Sequence, residues 1–212
     1  MLASWAVALT LGTVIPVGEF RSIQAANGRH VVVRYGATQR VSIAGDAPCT
    51  SVRVGSGLRL LIDSAEGNCP HGQRTQVEVV TPTLSAISVS NGGTVEFVGA
   101  FPAQQSIAVA VQQGGTIDVR SIQANLVDAS VYSGGRIFTN PRRTLKASVD
   151  SGGIITYWGD AIDVRKSVRD AGVVMKGTPD DAAKPLATLD SELAPIPPVA
   201  PVPPVPPLHH EH

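Results

Sequence analysis

The sequence predicts an all-β protein whose body is a single-stranded parallel β-helix, a β-solenoid with repeats of about 20 residues. Three observations support this fold class: a segment recurs at a nearly constant spacing, β-branched residues hold fixed positions within it, and apolar and polar residues alternate around them. Four clear copies align without gaps at residues 88–97, 110–119, 130–139 and 148–157.

A pair of glycines lies at the centre of each copy. Glycine suits a corner at which the chain adopts a positive φ or a neighbouring backbone approaches closely. We therefore interpret these pairs as structural corners between two strands. They are Gly92 and Gly93, Gly114 and Gly115, Gly134 and Gly135, and Gly152 and Gly153.

β-Branched residues flank every corner. The residue three positions before the first glycine is valine in all four copies, and the residue three positions after it is valine or isoleucine. A fainter fifth copy at 167–176 keeps Val168 and Val174 around Ala171 and Gly172. Such residues fit a packed, pleated surface, so stacked copies would align them in two core ladders.

The structural alternative is an up-and-down antiparallel barrel or sandwich, in which strands recur about every 8 to 12 residues. A constant repeat length has no physical cause in that arrangement, so we favour the parallel stack. Further strands of the same body are expected between residues 20 and 63 and at 76–80. Gly55 even carries Val52 and Leu58 at the offsets of the repeat.

Charge and hydropathy limit the partners and the location. The 212-residue chain has 17 basic and 17 acidic residues without a basic stripe, so no nucleic-acid partner is expected. Residues 2–17 are apolar but too short for a convincing membrane span. We predict residues 1–18 as a signal peptide, with a buried N-terminal strand or a misassigned start as alternatives. The expected location is the periplasm, the cell surface or the medium, with no transmembrane span beyond this segment.

Cys49 and Cys69 are the only cysteines and are predicted to form one disulfide in an exported protein. Its loop would add about 3 kcal/mol to stability by constraining the unfolded chain. Two unrelated free thiols are the alternative. No cofactor or metal site is predicted, because two cysteines with only His71 nearby are too few for structural zinc.

The composition changes sharply at Thr178. Residues 195–207 are dominated by proline, which favours an extended polyproline II conformation. We predict a body at 19–177 and a Pro-rich disordered tail at 178–212. The tail is either a spacer or docking ligand, or a terminus without such a role.

Residues 18–177 resemble the putative auto-transporter adhesin, head GIN domain family, whose members are exported bacterial domains of unknown function. The resemblance rests on the glycine-centred repeats and on strand patterns at 20–23, 30–36, 52–54 and 58–62. Family members carry a Ser-Gly-Ser-Gly-like corner where this chain has Asn91 and its counterparts before a glycine pair. The resemblance implies a β-helix and a surface or envelope location, and it brings no catalytic residues. Bactofilins, which are cytoskeletal β-helices with Pro-rich tails, are also similar, but their repeats are shorter and they are cytoplasmic.

Two acidic residues form one candidate site. Glu96 and Asp118 occupy the same position in successive copies, so adjacent strands would place them about 4.8 Å apart. Such a pair is destabilising unless a proton, a cation or Arg120 intervenes. The pair is either two solvated surface acids or a calcium or acid/base site.

Aromatic residues form a second candidate site. Tyr157 and Trp158, with Tyr132 and Phe138 in neighbouring copies, could provide a platform for sugars or a partner, or could close the end of the core. A polar ladder before the corners is explained by hydrogen bonds between copies, without a ligand. Its members are Asn91, Gln113, Ser133 and Ser151.

Three functional hypotheses follow. The leading one is a non-enzymatic, exported cell-surface or periplasmic binding protein of adhesin type, whose partner is an unknown protein or glycan and for which homo-oligomerisation is left open. The second is a polysaccharide-acting enzyme, which would require Glu96, Asp118 and Arg120 to converge in a cleft. The third is a self-assembling, bactofilin-like scaffold, which would form oligomers through its exposed ends.

Overall fold

The computed structural model describes residues 12–45, 47–65 and 75–192, which form fifteen strands, one 3₁₀ turn and two short helices. The strands are β1 (Thr13–Ile15), β2 (Ser22–Ala25), β3 (His30–Tyr35), β4 (Arg40–Ala44), β5 (Thr50–Gly55), β6 (Arg59–Ser64), β7 (Gln76–Thr81), β8 (Ala86–Ser90), β9 (Thr94–Val98), β10 (Gln104–Gln112), β11 (Thr116–Tyr132), β12 (Arg136–Asp150), β13 (Ile154–Tyr157), β14 (Asp163–Val168) and β15 (Val173–Lys176). The 3₁₀ turn is Ala47–Cys49, and the helices are α1 (Pro179–Ala182) and α2 (Leu186–Glu192).

Parallel pairing joins the repeat copies in two ladders. The first ladder contains β8, β10, the ends of β11 and β12, and β14, and it aligns Val89, Val111, Val131, Val149 and Val168. The second contains β9, the starts of β11 and β12, β13 and β15, and it aligns Val95, Ile117, Ile137, Ile155 and Val174. Residues at equivalent positions of the repeat are therefore paired across neighbouring strands. β2 extends the first ladder and β3 extends the second.

The prediction of a single-stranded parallel β-helix is nevertheless wrong. β4 pairs antiparallel with both β1 and β7, and β5 pairs antiparallel with β6, so the fifteen strands of the described chain form one mixed, nearly closed sheet. The prediction failed because apolar and polar residues alternate with the same period in parallel and antiparallel strands, so the pattern does not reveal the strand direction. At Gly55 the match to the repeat is coincidental, because a tight turn with positive φ at Gly57 (72°) and Leu58 (56°) reverses the chain into a hairpin.

One core fills the space that the sheet encloses. Apart from the last copy, where Val168 is exposed and Val174 is partly buried, the inward residues of both ladders belong to a single buried cluster. It also takes in Val41 and Ile43 of β4 and Val77 and Val79 of β7. β11 and β12 run through both ladders, and register shifts between Asp118 and Leu126 mark where β11 turns from one to the other. Valine and isoleucine dominate because they pack well on a pleated surface.

The corner at residues 113–115 shows why two glycines are needed. Gln113 and Gly114 both have positive φ, 55° and 82°, and Gly115 follows at 110°. A Cβ on Gly115 would lie 2.5 Å from Cγ1 of Val89 and 2.6 Å from the carbonyl oxygen of Gly93, whereas one on Gly114 meets nothing closer than 4.0 Å. The first glycine therefore provides the backbone conformation of the turn, and the second leaves the space in which the neighbouring copy approaches closely.

A charged side chain lies at the end of the core that the last repeat forms. Lys166 of β14 pairs with Ala147, so it stands at an inward position that is apolar in the preceding copy. Its Nζ donates to the carbonyl oxygen of Val174 at 3.1 Å and lies 5.7 Å from the ring centroid of Tyr157. An ammonium group thus covers the end of the core.

The first part of the predicted tail is folded. Thr178 caps α1 by accepting a hydrogen bond from the amide of Asp181, and Pro179 opens the helix. Leu186 and Leu189 are buried with Phe138 and Trp158 in a second apolar cluster. We call residues 178–192 the strap. Residues 193–212, with the Pro-rich segment, lie outside the described residues.

The N-terminal predictions are only partly covered by the structure. β1 lies within the predicted signal peptide at 1–18 and pairs with β4, but Thr13 and Val14 are exposed, so it is not the buried strand of the alternative. Residues 1–11 lie outside the described part, and cleavage stays a prediction. Cys49 ends the 3₁₀ turn, but Cys69 also lies outside the described residues, so the disulfide stays a prediction.

Candidate functional site

The sheet presents two outward surfaces. We call the outward residues of the first ladder and its neighbours β2 and β6 the open face. The outward residues of the second ladder form the strap face, because the strap packs over Phe138 and Trp158 there. Since side chains alternate between the two sides of a strand, each face has its own fixed set of residues.

Most side chains on the open face are small and polar. Tyr132 rises from this surface with 55% of its area exposed, between its cross-strand neighbours Gln112 and Asp150. Within the described chain its hydroxyl has no hydrogen-bond partner. The adjacent row crosses six strands with Gln24, Ser88, Ala110, Ser130, Ser148 and Ser167.

A shallow groove of about 400 Å³ runs across the same face. It extends from Arg59 on β6, over β2, β8 and β10, to Asp128 and Ser130 on β11. Four strand spacings correspond to a length of about 19 Å. Gln112 lines the groove, so Tyr132, its cross-strand neighbour, stands at the rim.

Asp118 and Arg120 meet on the strap face. Arg120 Nη2 lies 2.6 Å from Oδ2 of Asp118, and Nε lies 2.9 Å from Oδ1, which is a bidentate pair with both side chains only 10% exposed. Both carboxylate oxygens of Asp118 are therefore engaged by the guanidinium group. This geometry leaves no free carboxylate for acid/base chemistry at Asp118.

The guanidinium group of Arg120 also holds the strap. Its remaining donors reach the carbonyl oxygens of Asp181 at 2.9 Å, Ala182 at 3.2 Å and Lys184 at 2.9 Å. All five N–H groups are thus used. The group lies 5.7 Å from the ring centroid of Phe138 and 5.3 Å from that of Trp158. Arg120 is the point at which the strap is fastened to the sheet.

Glu96 has a different partner from Asp118. The two are register neighbours, as the repeat predicted, but Glu96 accepts a hydrogen bond from Nε2 of His30 at 3.2 Å. This hydrogen bond is the main reason that the pKa of Glu96 lies below its ordinary value of 4.5; burial opposes the shift, and the charges of His30 and Arg34 add to it. The structure places Glu96, Asp118 and Arg120 side by side but gives the two acids separate partners.

The predicted aromatic platform is divided among three places. Tyr157 belongs to the main core, and Phe138 and Trp158 are buried under the strap, where the indole Nε1 donates to the carbonyl oxygen of Thr178 at 2.7 Å. Tyr132 alone of the four is well exposed, and it lies on the open face. Tyr157 and Trp158 therefore offer no free surface for a partner.

Sequence reasoning missed one repeat copy. Asn27 and Gly28 have positive φ, 54° and 73°, and the flanking Ala25 and Val31 pair with Val89 and Val95. The Asn-Gly dipeptide is a strong turn signal and could have revealed this copy. Asn27 also accepts a hydrogen bond from the side-chain amide of Asn91 at 3.0 Å, so the polar ladder begins one copy earlier than predicted.

With this geometry in place, comparison with protein-family models gives a clear result. The model described as "Putative auto-transporter adhesin, head GIN domain" matches residues 19–120 and 103–161, which together make up more than half of the chain. The chain belongs to the head GIN domain family. The predicted resemblance is therefore confirmed. The description of the family points to a cell-surface or exported location.

Two solved structures show similarity to this head GIN domain. A putative adhesin from Bacteroides fragilis has 18% sequence identity and a TM-score of 0.50, and the match covers 79% of this chain and 96% of that one. A putative adhesin from Parabacteroides distasonis has 13% identity and a TM-score of 0.48, with 78% and 96% covered. No curated protein sequence matches significantly.

Two further properties concern the described residues only. Neither α1 nor α2, the α-helices of the described residues, is long and apolar enough to cross a membrane. Within residues 12–45, 47–65 and 75–192, no group of three His, Cys, Asp or Glu side chains is arranged to hold a metal ion.

Proposed function

We propose that this protein is an exported, non-enzymatic binding protein of adhesin type that takes a glycan on its open face. The observation that carries the proposal is Tyr132, an exposed ring at the rim of a polar groove that crosses five strands. Sugars combine apolar C–H faces with hydroxyl groups, so they suit a single ring surrounded by hydroxyl, amide and carboxylate groups.

The surroundings of the ring support a glycan over a protein partner. Gln112 and Asp150 flank the ring, and Ser130 and Asp128 continue along the same strand, so donors and acceptors alternate around it. Protein interfaces are enriched in large aromatic side chains at their centre, whereas the outward apolar residues that line this groove are alanines, Ala86, Ala108 and Ala110. The length of the groove, about 19 Å, suits a short oligosaccharide.

A glycan array tests the proposal. The full chain is screened against bacterial and host glycans, and the Tyr132→Ala variant is compared with Tyr35→Ala, which removes the other well-exposed tyrosine (48%) at the end of β3. Losing the aromatic contact of Tyr132 at the rim of the groove should cost about 2 kcal/mol, roughly a 30-fold loss of affinity. Equal binding by both variants, or binding to protein but not to glycan, would refute the proposal.

Export and the non-enzymatic character belong to the same proposal. The apolar segment at 1–18 and the family description support export, and cell fractionation of the tagged full chain should place it outside the cytoplasm. The bidentate bond of Asp118 with Arg120 supports a binding role, since an acid/base pair needs an available carboxylate. Sedimentation of the full chain at rising concentration distinguishes binding as a monomer from scaffold assembly.

A further inference from the structure

The strand β14 has a free edge. Among the described strands it pairs only with β12, so the backbone N–H and C=O groups along its other side face no strand. The side chains show the same opening, because Val168 is 46% exposed, whereas its neighbour on β12, Val149, is only 1% exposed. A strand added to this edge would cover Val168 as β14 covers Val149.

Lys166 determines which strand can be added. It lies between Val164 and Val168 in the inward row of β14. Its Nζ donates one hydrogen bond, to the carbonyl oxygen of Val174, and within the described residues its other two N–H groups have no hydrogen-bond partner. A covering strand would remove this ammonium group from water, which is unfavourable unless a hydrogen-bonded negative charge faces it.

The described edge strands of a second copy do not supply that charge. Besides β14 these strands are β1, β5 and β15, and none of the three contains an acidic residue. If two antiparallel β14 strands paired Val164 with Val168, Lys166 would face Lys166, and like charges at directly opposite positions are destabilising. The charge at this edge therefore favours a different protein as its partner.

We infer that the free edge of β14 binds an extended segment of a partner protein with the pattern apolar-x-acidic-x-apolar. The two apolar residues lie against Val164 and Val168, and the carboxylate between them accepts hydrogen bonds from Nζ of Lys166. The pattern is the same in both chain directions, so parallel and antiparallel pairing both satisfy it. Main-chain hydrogen bonds provide affinity, and the acidic residue provides specificity.

Four labelled peptides with blocked ends test the inference. Three share the sequence Thr-Val-Thr-X-Thr-Val-Thr, in which X is Glu, Gln or Lys, and their binding to the full chain is measured by fluorescence anisotropy. The Glu peptide should bind about tenfold more tightly than the Gln peptide, and the Lys peptide should bind most weakly. The fourth peptide, Thr-Val-Pro-Glu-Pro-Val-Thr, keeps the charge but cannot pair as a strand, so it should not bind.

Charge reversal in the protein tests the role of Lys166. Lys166→Glu should reverse the order, so that the Lys peptide binds most tightly. The matched control is Lys146→Glu, which makes the same change at an exposed, outward position of the neighbouring strand β12 and should leave the order unchanged. If Lys166→Glu does not fold by circular dichroism, Lys166→Gln takes its place and should bind the Glu and Gln peptides equally.

Several outcomes would overturn the inference. These are equal binding of the Glu and Gln peptides, binding of the proline peptide, the same effect of both charge reversals, and no peptide binding at all. Dimerisation in sedimentation that Lys166→Glu abolishes would also overturn it, because a second copy would then occupy the edge. Each of these outcomes leaves the glycan proposal intact, since the groove ends at β11 and does not reach β14.

Discussion

Replacing Arg120 tests whether one side chain fastens the strap to the sheet. The guanidinium group is 10% exposed, uses all five donors and faces two aromatic rings. In Arg120→Ala the carboxylate of Asp118 stays buried without its partner, which typically costs about 3–5 kcal/mol. Arg120→Lys keeps the charge but not the planar fork, so we expect an intermediate loss of about 2–3 kcal/mol.

Urea denaturation followed by circular dichroism measures the loss of stability, and hydrogen exchange of the α2 amides reports whether the strap stays docked. The matched control is Arg34→Ala, which breaks the exposed pair with Glu78 at a similar Nε–Oε1 distance of 2.9 Å but with 48% and 38% exposure. That pair should contribute less than about 1 kcal/mol. If Arg120→Ala costs no more than Arg34→Ala, and α2 keeps its protection from exchange, the assignment of Arg120 as the fastener is refuted.

Three further predictions concern the corners and the acidic site. In urea denaturation, Gly115→Ala should destabilise the fold by more than about 3 kcal/mol and Gly114→Ala by only about 1 kcal/mol, because only a side chain at 115 clashes with the neighbouring copy. Similar losses for the two variants would contradict the role of Gly115 in the close approach of that copy. Gln113→Asn should raise the melting temperature, since asparagine tolerates the observed φ of 55° better; an unchanged or lower value argues against strain there. The pKa of Glu96 is lower in the folded protein, so its ionisation stabilises the fold above pH 4.5, and this stability is lost as the pH falls through the folded pKa. The difference in melting temperature between wild type and Glu96→Gln should therefore shrink in acid. A difference that does not depend on pH would exclude the linkage with His30.

The repeat is the part of the fold that the sequence predicts well. Valines at equal offsets from Gly92 and Gly114 pair across adjacent strands, because identical positions in stacked copies face identical surroundings. The antiparallel strands were not predictable in the same way. Alternation in 40–44 is satisfied equally by either strand direction, and only the partner, β7, decides which one forms.

The sequence predicted that Glu96 and Asp118 pair across adjacent strands, but it did not predict the partners of their carboxylates. The repeat predicts Glu96 beside Asp118, as observed, but the sequence predicts a disordered tail where the strap engages Arg120. The helix-start signal was present, because Thr178 and Pro179 are favoured at an N-cap and the first helical position. A four-residue helix is too short for periodicity to reveal, so tertiary contacts with Trp158 determine whether it forms.

Lys166 affects whether a further repeat copy could pair with β14. Within the two ladders each copy presents valine or isoleucine to the next. A copy added after β14 would instead enclose an ammonium group and remove it from water. Lys166 therefore disfavours a further parallel copy against β14 unless an apolar residue takes its place.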